Sequence, residues 1–348
     1  MRIFKVNKKI ITDKSDCFVV AEIGNNHMGN FDIAKKLIKK AHESGVDAVK
    51  LQKRNNKKLF TKKMYSTIYN SENSYGKTYG QHRDFLEFNL SQYKELKSFS
   101  EDLGLIFFAT PFDFESVDFL EKLNIPMYKI GSGDLTNTPL IKYINQINKP
   151  IIFSTGGGNM KDVERAYSVI KKNKNVAILQ CTSSYPCLPG DINLNVIKSF
   201  RKKFPKNIIG LSDHLSGISS SLASYMLGAR IVEKHFTLNR AWKGTDHSFS
   251  LEPGGLKKLV SYLRQARLFT GSAKKIKSKK ERAPIYKMAK KLVAAKDLKR
   301  GQILTLKDIA IKSPNDGVPP YEINKFVGKR INKNIKYEEN LNFKDIRR

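Results

Sequence analysis

The chain has 348 residues, with 64 Lys and Arg against 32 Asp and Glu, and 40% hydrophobic residues. That length exceeds one small core and suits a domain of about 250 residues plus a smaller one, while no apolar run approaches the roughly 18 to 20 residues of a membrane span. The net charge of +32 would suit nucleic acid if it formed one stripe with interleaved aromatics, but the lysines are scattered over almost every helical stretch, which describes a lysine-rich surface.

The opening MRIFKVNKKIITDK lacks the apolar core and cleavage site of a secretory leader, and Cys17, Cys181 and Cys187 show no CxxC spacing. A reducing, cytoplasmic location is expected, with neither nucleic acid nor membrane as partner.

Short β-branched or aromatic runs then follow one another: FVVAEI (18–23), DAVKLQ (47–52), LIFFAT (105–110), PMYKI (126–130), PIIFST (150–155), VAILQC (176–181), NIIGLS (207–212) and RIVEKHF (230–236). Amphipathic stretches such as NFDIAKKLIKKAHESG and SQYKELKSFSEDLG separate them, and this alternation predicts a (β/α)8 TIM barrel. A doubly wound open sheet would carry GxGxxG after its first strand; EIGNNHMGN does not. The run KKIKSKKER (274–282) reads as a solvated linker. The expected organisation is a barrel over 1–273, a linker over 274–284 and a small domain over 285–348.

Active sites of such barrels lie at the C-terminal strand ends, and each run ends in polar or glycine residues: Glu22, Lys50 with Gln52, Thr110, Lys129 with Ser132, Ser154, Thr182 with Ser183, Ser212 to His214, and Glu233 with His235. Residues two apart share a strand face, so Glu233 and His235 are expected at the barrel mouth while Lys234 points elsewhere. Lys50 and Lys129 sit late in apolar runs, where a lysine must snorkel or meet an anion. The small residues of GSGD (131–134) and STGGG (154–158) add free backbone N–H groups, a combination that favours phosphate. His214 and His235 close adjacent strands; such a pair holds a divalent metal, with Asp213 or Glu233 orienting a ligand, or each imidazole simply hydrogen-bonds within the mouth. His27 is placed to contact substrate or the following helix; His42 and His82 fall in exposed helical patterns and receive no role. The cysteines read as buried apolar residues.

Taken in order, EIGNNHMGN, KIGSGD, FSTGG, QCTSSYP, GLSDH and EKHFT resemble the sialic acid synthase family, which condenses phosphoenolpyruvate with N-acetylmannosamine or a relative. From about residue 285, AAKDLKRGQILTLKDIAIKSP resembles the antifreeze-like (SAF) domain that ends these synthases. The resemblance implies His214 and His235 as ligands of a divalent metal, Mn²⁺ before Mg²⁺ or Co²⁺, that polarises the sugar aldehyde. It implies Glu22 as an acid/base or sugar-positioning group; Lys50, Thr110, Lys129, Ser132, Ser154, Ser183 and Ser212 around phosphoenolpyruvate; and Gln52, Tyr185 and Asp246 nearer the sugar. It further implies C–O cleavage of phosphoenolpyruvate and a domain-swapped homodimer.

Two departures from the family pattern stand out. Ser183 occupies a position where some bacterial members carry Asn, and Ser313, in IKSP, stands where they often carry an arginine that reaches the partner's sugar site. Unphosphorylated N-acetylmannosamine is the expected acceptor. Its 6-phosphate, meeting Lys243 or Arg83, and the sugars of legionaminic or pseudaminic acid synthesis are alternatives.

Overall fold

The structure, a computed structural model, describes residues 1–347. Eight parallel strands close a barrel: β3 (Phe18–Gly24), β4 (Ala48–Lys53), β5 (Ile106–Pro111), β6 (Tyr128–Ile130), β7 (Ile151–Ser154), β8 (Val176–Cys181), β9 (Ile208–Asp213) and β10 (Ile231–His235), with β10 paired to β3. The runs read from the sequence are these strands. Both faces are buried, which is why they read as nearly continuous apolar runs.

Alternation divides each strand between two cores. Outward residues such as Val19, Val49, Phe107, Ile178 and Val232 pack beneath the helices, while inward ones such as Val20, Ala48, Phe108, Ile152, Leu179 and Ile231 fill the lower barrel. The helix Phe31–Glu43 shows how the outer layer is specified. Asn30 caps it by accepting from Ile33 N at 3.0 Å, and Ala34, Leu37, Ile38 and Ala41 make one buried stripe. Each Leu or Ile of that stripe contributes about 1.5–3 kcal/mol on burial.

An N-terminal hairpin, β1 (Ile3–Val6) with β2 (Lys9–Thr12), precedes the barrel. Its Phe4, Val6 and Ile11 join the barrel-interior core beside Phe18, Ile106 and Ile208, on the side away from the polar strand ends. Gly210 is the inward residue of β9 that allows close packing: a Cβ there would lie 2.4 Å from Ile231 O and 2.5 Å from Leu179 Cδ2. Gly210→Ala is therefore expected to cost about 1–3 kcal/mol, measurable as a lowered urea midpoint; an unchanged midpoint would contradict this packing.

The chain divides into two compact units, Met1–Gly271 and Ser272–Arg348. The second begins with exposed chain that turns helical over Arg282–Met288. It then pairs β11 (Lys291–Ala294) with β12 (Ile309–Lys312) around a core of Leu292, Leu304, Phe326, Ile331 and Leu341. Among the described residues no helix is long and apolar enough to cross a membrane.

Candidate active site

Above the apolar layers the inward positions turn polar. Glu22, Lys50, Thr110, Lys129, Ser154, Ser212 and Glu233 form the floor of a cavity of about 510 Å³, and Gln52, Ser132, Ser183, Tyr185, His214 and His235 complete its polar wall. Of the side chains expected from the sequence, Asp213, Asp246, Thr182, His27, Arg83 and Lys243 do not line it. The two-residue repeat of parallel strands explains this, since register sets Glu22 beside both Lys50 and His235, and Ser212 beside Glu233.

The floor holds four buried charges. Lys50 Nζ lies 2.9 Å from Glu22 Oε2 and 3.5 Å from Glu233 Oε2, and donates to Thr110 Oγ1 at 3.0 Å. Lys129 Nζ is 3.5 Å from Glu233 Oε1, which also accepts from Ser212 Oγ at 3.0 Å. These environments drive the two carboxyls apart. Burial opposes the charge on Glu233, but Lys129, Lys50 and the Ser212 hydroxyl outweigh it and hold the group at about 2. Burial wins at Glu22, aided by the charge of Glu233, and raises its pKa despite Lys50. One carboxyl stays ionised beside another ready to hold a proton, an arrangement suited to acid/base work. Lys50 is lowered by burial but raised more by its two carboxylates, whereas Lys129, with weaker partners, is lowered by burial. Lys129 is thus the cation most in need of an anion.

Opposite stand the small-residue loops after β6 and β7. Gly156 N donates to Ser132 Oγ at 3.0 Å, and a Cβ on Gly156 would fall 2.1 Å from Ser183 Oγ and 2.8 Å from Ser132 Oγ. Ser154 Oγ is buried with no hydrogen-bond partner. Hydroxyls converging on the space a Cβ of Gly156 would take, with Lys129 beneath, make an anion cradle.

The two imidazoles meet with ring centroids 5.3 Å apart. His214 Nδ1 donates to Thr182 O at 2.9 Å, leaving Nε2 as the acceptor. His235 is held well below the usual imidazole range, by burial first and then by His214, and its buried Nδ1 has no hydrogen-bond partner. A neutral, unsatisfied imidazole beside a second with a fixed tautomer fits a divalent cation. Among the described residues no group of three or more His, Cys, Asp and Glu side chains is placed to hold a metal ion, so a cation held by this pair would need further ligands from substrate or water.

The carboxylates expected to orient these ligands do other things. Asp213 faces away from the cavity, where its Oδ2 is 3.1 Å from the fully buried Lys234 Nζ and accepts from Ser220 and Ser221 at 2.6 Å. It touches the His214 turn only through Leu215 N, at 3.0 Å. Glu233 lies one two-residue step, about 7 Å, deeper than His235, and its partners are lysines. The carboxylate beside the pair is Asp246, whose Oδ2 is 3.7 Å from His235 Nδ1. Tyr185 covers the mouth, its ring 4.3 Å from His214 and 6.4 Å from His235.

Other histidines serve structure. His27 stacks on Phe88 at 4.3 Å and is pushed down to about 3 by burial. His82 is buried rather than exposed, packed among Tyr69, Tyr75 and Tyr79, because the loop between β4 and β5 folds over it. Cys181, read as merely apolar, lines the cavity 3.4 Å from Ser132 Oγ and 3.9 Å from His214 Nδ1. Its signal was available in the inward series Ala177, Leu179, Cys181.

Fold and site together define a (β/α)8 barrel enzyme with an anion cradle, a buried carboxyl of raised pKa and an imidazole pair at one mouth. A model of the NeuB family matches residues 37–275, and a SAF-domain model matches residues 291–347. The human N-acetylneuraminate-9-phosphate synthase is 41% identical over 90% of this chain and 88% of its own length. The N,N'-diacetyllegionaminic acid synthase of Campylobacter jejuni is 39% identical over 92% and 97%. The structure of an N-acetylneuraminic acid synthetase from Leptospira borgpetersenii in complex with citrate superposes with a TM-score of 0.71 at 30% identity, covering 82% of this chain and 95% of that one. The chain belongs to the NeuB family of sialic acid and related nonulosonate synthases.

Proposed function

We propose that this protein condenses phosphoenolpyruvate with the open-chain form of N-acetylmannosamine or a close N-acylated relative, giving a nine-carbon keto acid and phosphate. The observation that carries this reading is the single cavity in which Lys129 and the Gly156 cradle face Glu22 and the two imidazoles.

Lys129, Lys50 and the Ser132, Ser154 and Ser183 hydroxyls bind the carboxylate and phosphate of phosphoenolpyruvate, and Ser212 keeps Glu233 ionised beneath them. His214 and His235 would hold a divalent cation, whose chemistry when bound is Lewis-acid polarisation of the sugar aldehyde. C3 of the enol then bonds to the aldehyde carbon, whose oxygen gains a proton. Water adds at C2, losing a proton; the new C2 hydroxyl then becomes the ketone as the bond between C2 and the phosphate oxygen breaks, its proton leaving with the phosphate. Glu22, raised by burial, holds the proton in transit, while Glu233 and the lysines stabilise charge developing at C2 and on the leaving phosphate.

A 6-phosphorylated acceptor is a second reading favoured by one observation. Arg83, on the short helix Tyr79–Phe85 between β4 and β5, donates to the Tyr79 hydroxyl at 2.9 and 3.0 Å, and Lys243, beyond β10, sits 5.1 Å from the Tyr75 ring centroid, so both are held by aromatics. Two cations so placed suit a phosphate at the far end of the sugar.

The test is phosphate release from phosphoenolpyruvate with Mn²⁺, comparing N-acetylmannosamine, its 6-phosphate and 2,4-diacetamido-2,4,6-trideoxy sugars. Release that depends on one of these acceptors supports the reading and names the sugar; none with any acceptor contradicts it. Gly156→Ala should lower kcat/KM for phosphoenolpyruvate roughly a hundredfold in the same assay, because its methyl group enters the cradle. An unchanged kcat/KM would move the phosphate elsewhere.

A further inference from the structure

Arg54 continues the inward series Ala48, Lys50, Gln52 one residue beyond the end of β4, so alternation carries it to the rim above Gln52. Its guanidinium lies over the Phe112 ring, Cζ 3.9 Å from the centroid, and donates to Gln52 Oε1 at 2.6 Å. Gln52 Nε2 in turn donates to Glu22 Oε1 at 2.8 Å, and Glu22 Oε2 lies 2.9 Å from Lys50 Nζ. Burial, and then the charge of Arg83, pulls Arg54 down to about 10, so it remains a cation at neutral pH. Glu87, on the same side of the loop, is already paired with Lys53 at 2.7 Å.

We infer that Arg54 is a positioning residue that acts through Gln52, fixing the orientation of its amide and thereby the carboxyl of Glu22. A guanidinium only donates, whereas an amide has one accepting and one donating end. With Arg54 at its oxygen, the amide must present its NH₂ to Glu22. The reversed amide would set NH₂ against guanidinium and oxygen against carboxyl, losing both bonds. Glu22 Oε1 is therefore held as an acceptor, and the carboxyl is fixed between the Gln52 amide and Lys50. Without Arg54, nothing on the oxygen side opposes rotation of the amide, and Glu22 loses its fixed geometry. The inference rests on the synthase reading, and it assigns Gln52 to holding Glu22 rather than to the sugar alone.

A double-mutant cycle tests it. Arg54→Met and Gln52→Leu should each lower kcat by roughly 10- to 100-fold, and Arg54→Met should leave KM for phosphoenolpyruvate and for the sugar little changed. In the double variant Arg54→Met should cost nothing further, because its route to Glu22 is already cut. Should Arg54→Met fold poorly, Arg54→Lys, a donor-only cation with shorter reach, enters the same cycle. Effects that multiply in the double variant, a loss confined to KM for the sugar, or kcat unchanged by Arg54→Met would each overturn the inference while wild-type turnover leaves the synthase reading standing. Wild-type protein that releases no phosphate with any acceptor would overturn both.

Discussion

Glu22→Gln is expected to lower kcat roughly a thousandfold, within the range that a positioned acid/base contributes, while KM for phosphoenolpyruvate changes little. The substitution keeps size and still accepts from Gln52, but it removes the group that burial holds ready for a proton. It also sets an amide against Lys50 Nζ, now 2.9 Å from a carboxylate oxygen. Steady-state phosphate release with saturating sugar reads the effect. Because the proposed function assigns the anion to Lys129, Lys50 and the Gly156 cradle rather than to Glu22, loss should fall on kcat; a variant within a few fold of wild type would remove Glu22 from the proton path.

His214→Ala and His235→Ala are each expected to abolish stoichiometric Mn²⁺ binding, measured on metal-stripped protein by calorimetry without substrate, and to lower activity by on the order of a thousandfold. That figure corresponds to several kcal/mol of carbonyl polarisation at 1.36 kcal/mol per tenfold. The binding measurement separates the metal's role from a hydrogen-bonding one, since an imidazole that only braces the mouth would leave no ion to lose. Asp246→Asn, acting on His235 across 3.7 Å, should weaken binding by roughly 10- to 100-fold. Retained stoichiometric binding in either alanine variant would sink the assignment of the pair.

The barrel was legible because the strands are buried on both sides and polar or glycine residues gather at or just beyond their C-terminal ends, so the runs announced themselves. So was the site, since one rule of alternation turns Glu22, Lys50, Ser212 and Glu233 inward near the C-terminal strand ends. Three features were not. The N-terminal hairpin has strands of only four residues with lysines among them, too short for periodicity to declare them. His82 sits in a helix of seven residues whose surroundings come from the folded loop around it rather than from its own pattern. The roles of Glu233 and Asp213 depended on depth and partner, which spacing cannot provide: Glu233 lies a layer below the imidazole, and Asp213 is claimed by a lysine behind the sheet. Arg54 was legible in principle, as the next inward position after Gln52, but its function appears only once the Gln52 amide is seen between it and Glu22.

The most direct test of the account places a heavy-oxygen label at the bridging oxygen of phosphoenolpyruvate and follows it by mass spectrometry during turnover with the accepted sugar. Condensation by addition of water at C2 predicts a product joining both carbon chains, with all of the label in the released phosphate. Label retained in the product, or phosphate released without a joined product, would contradict it.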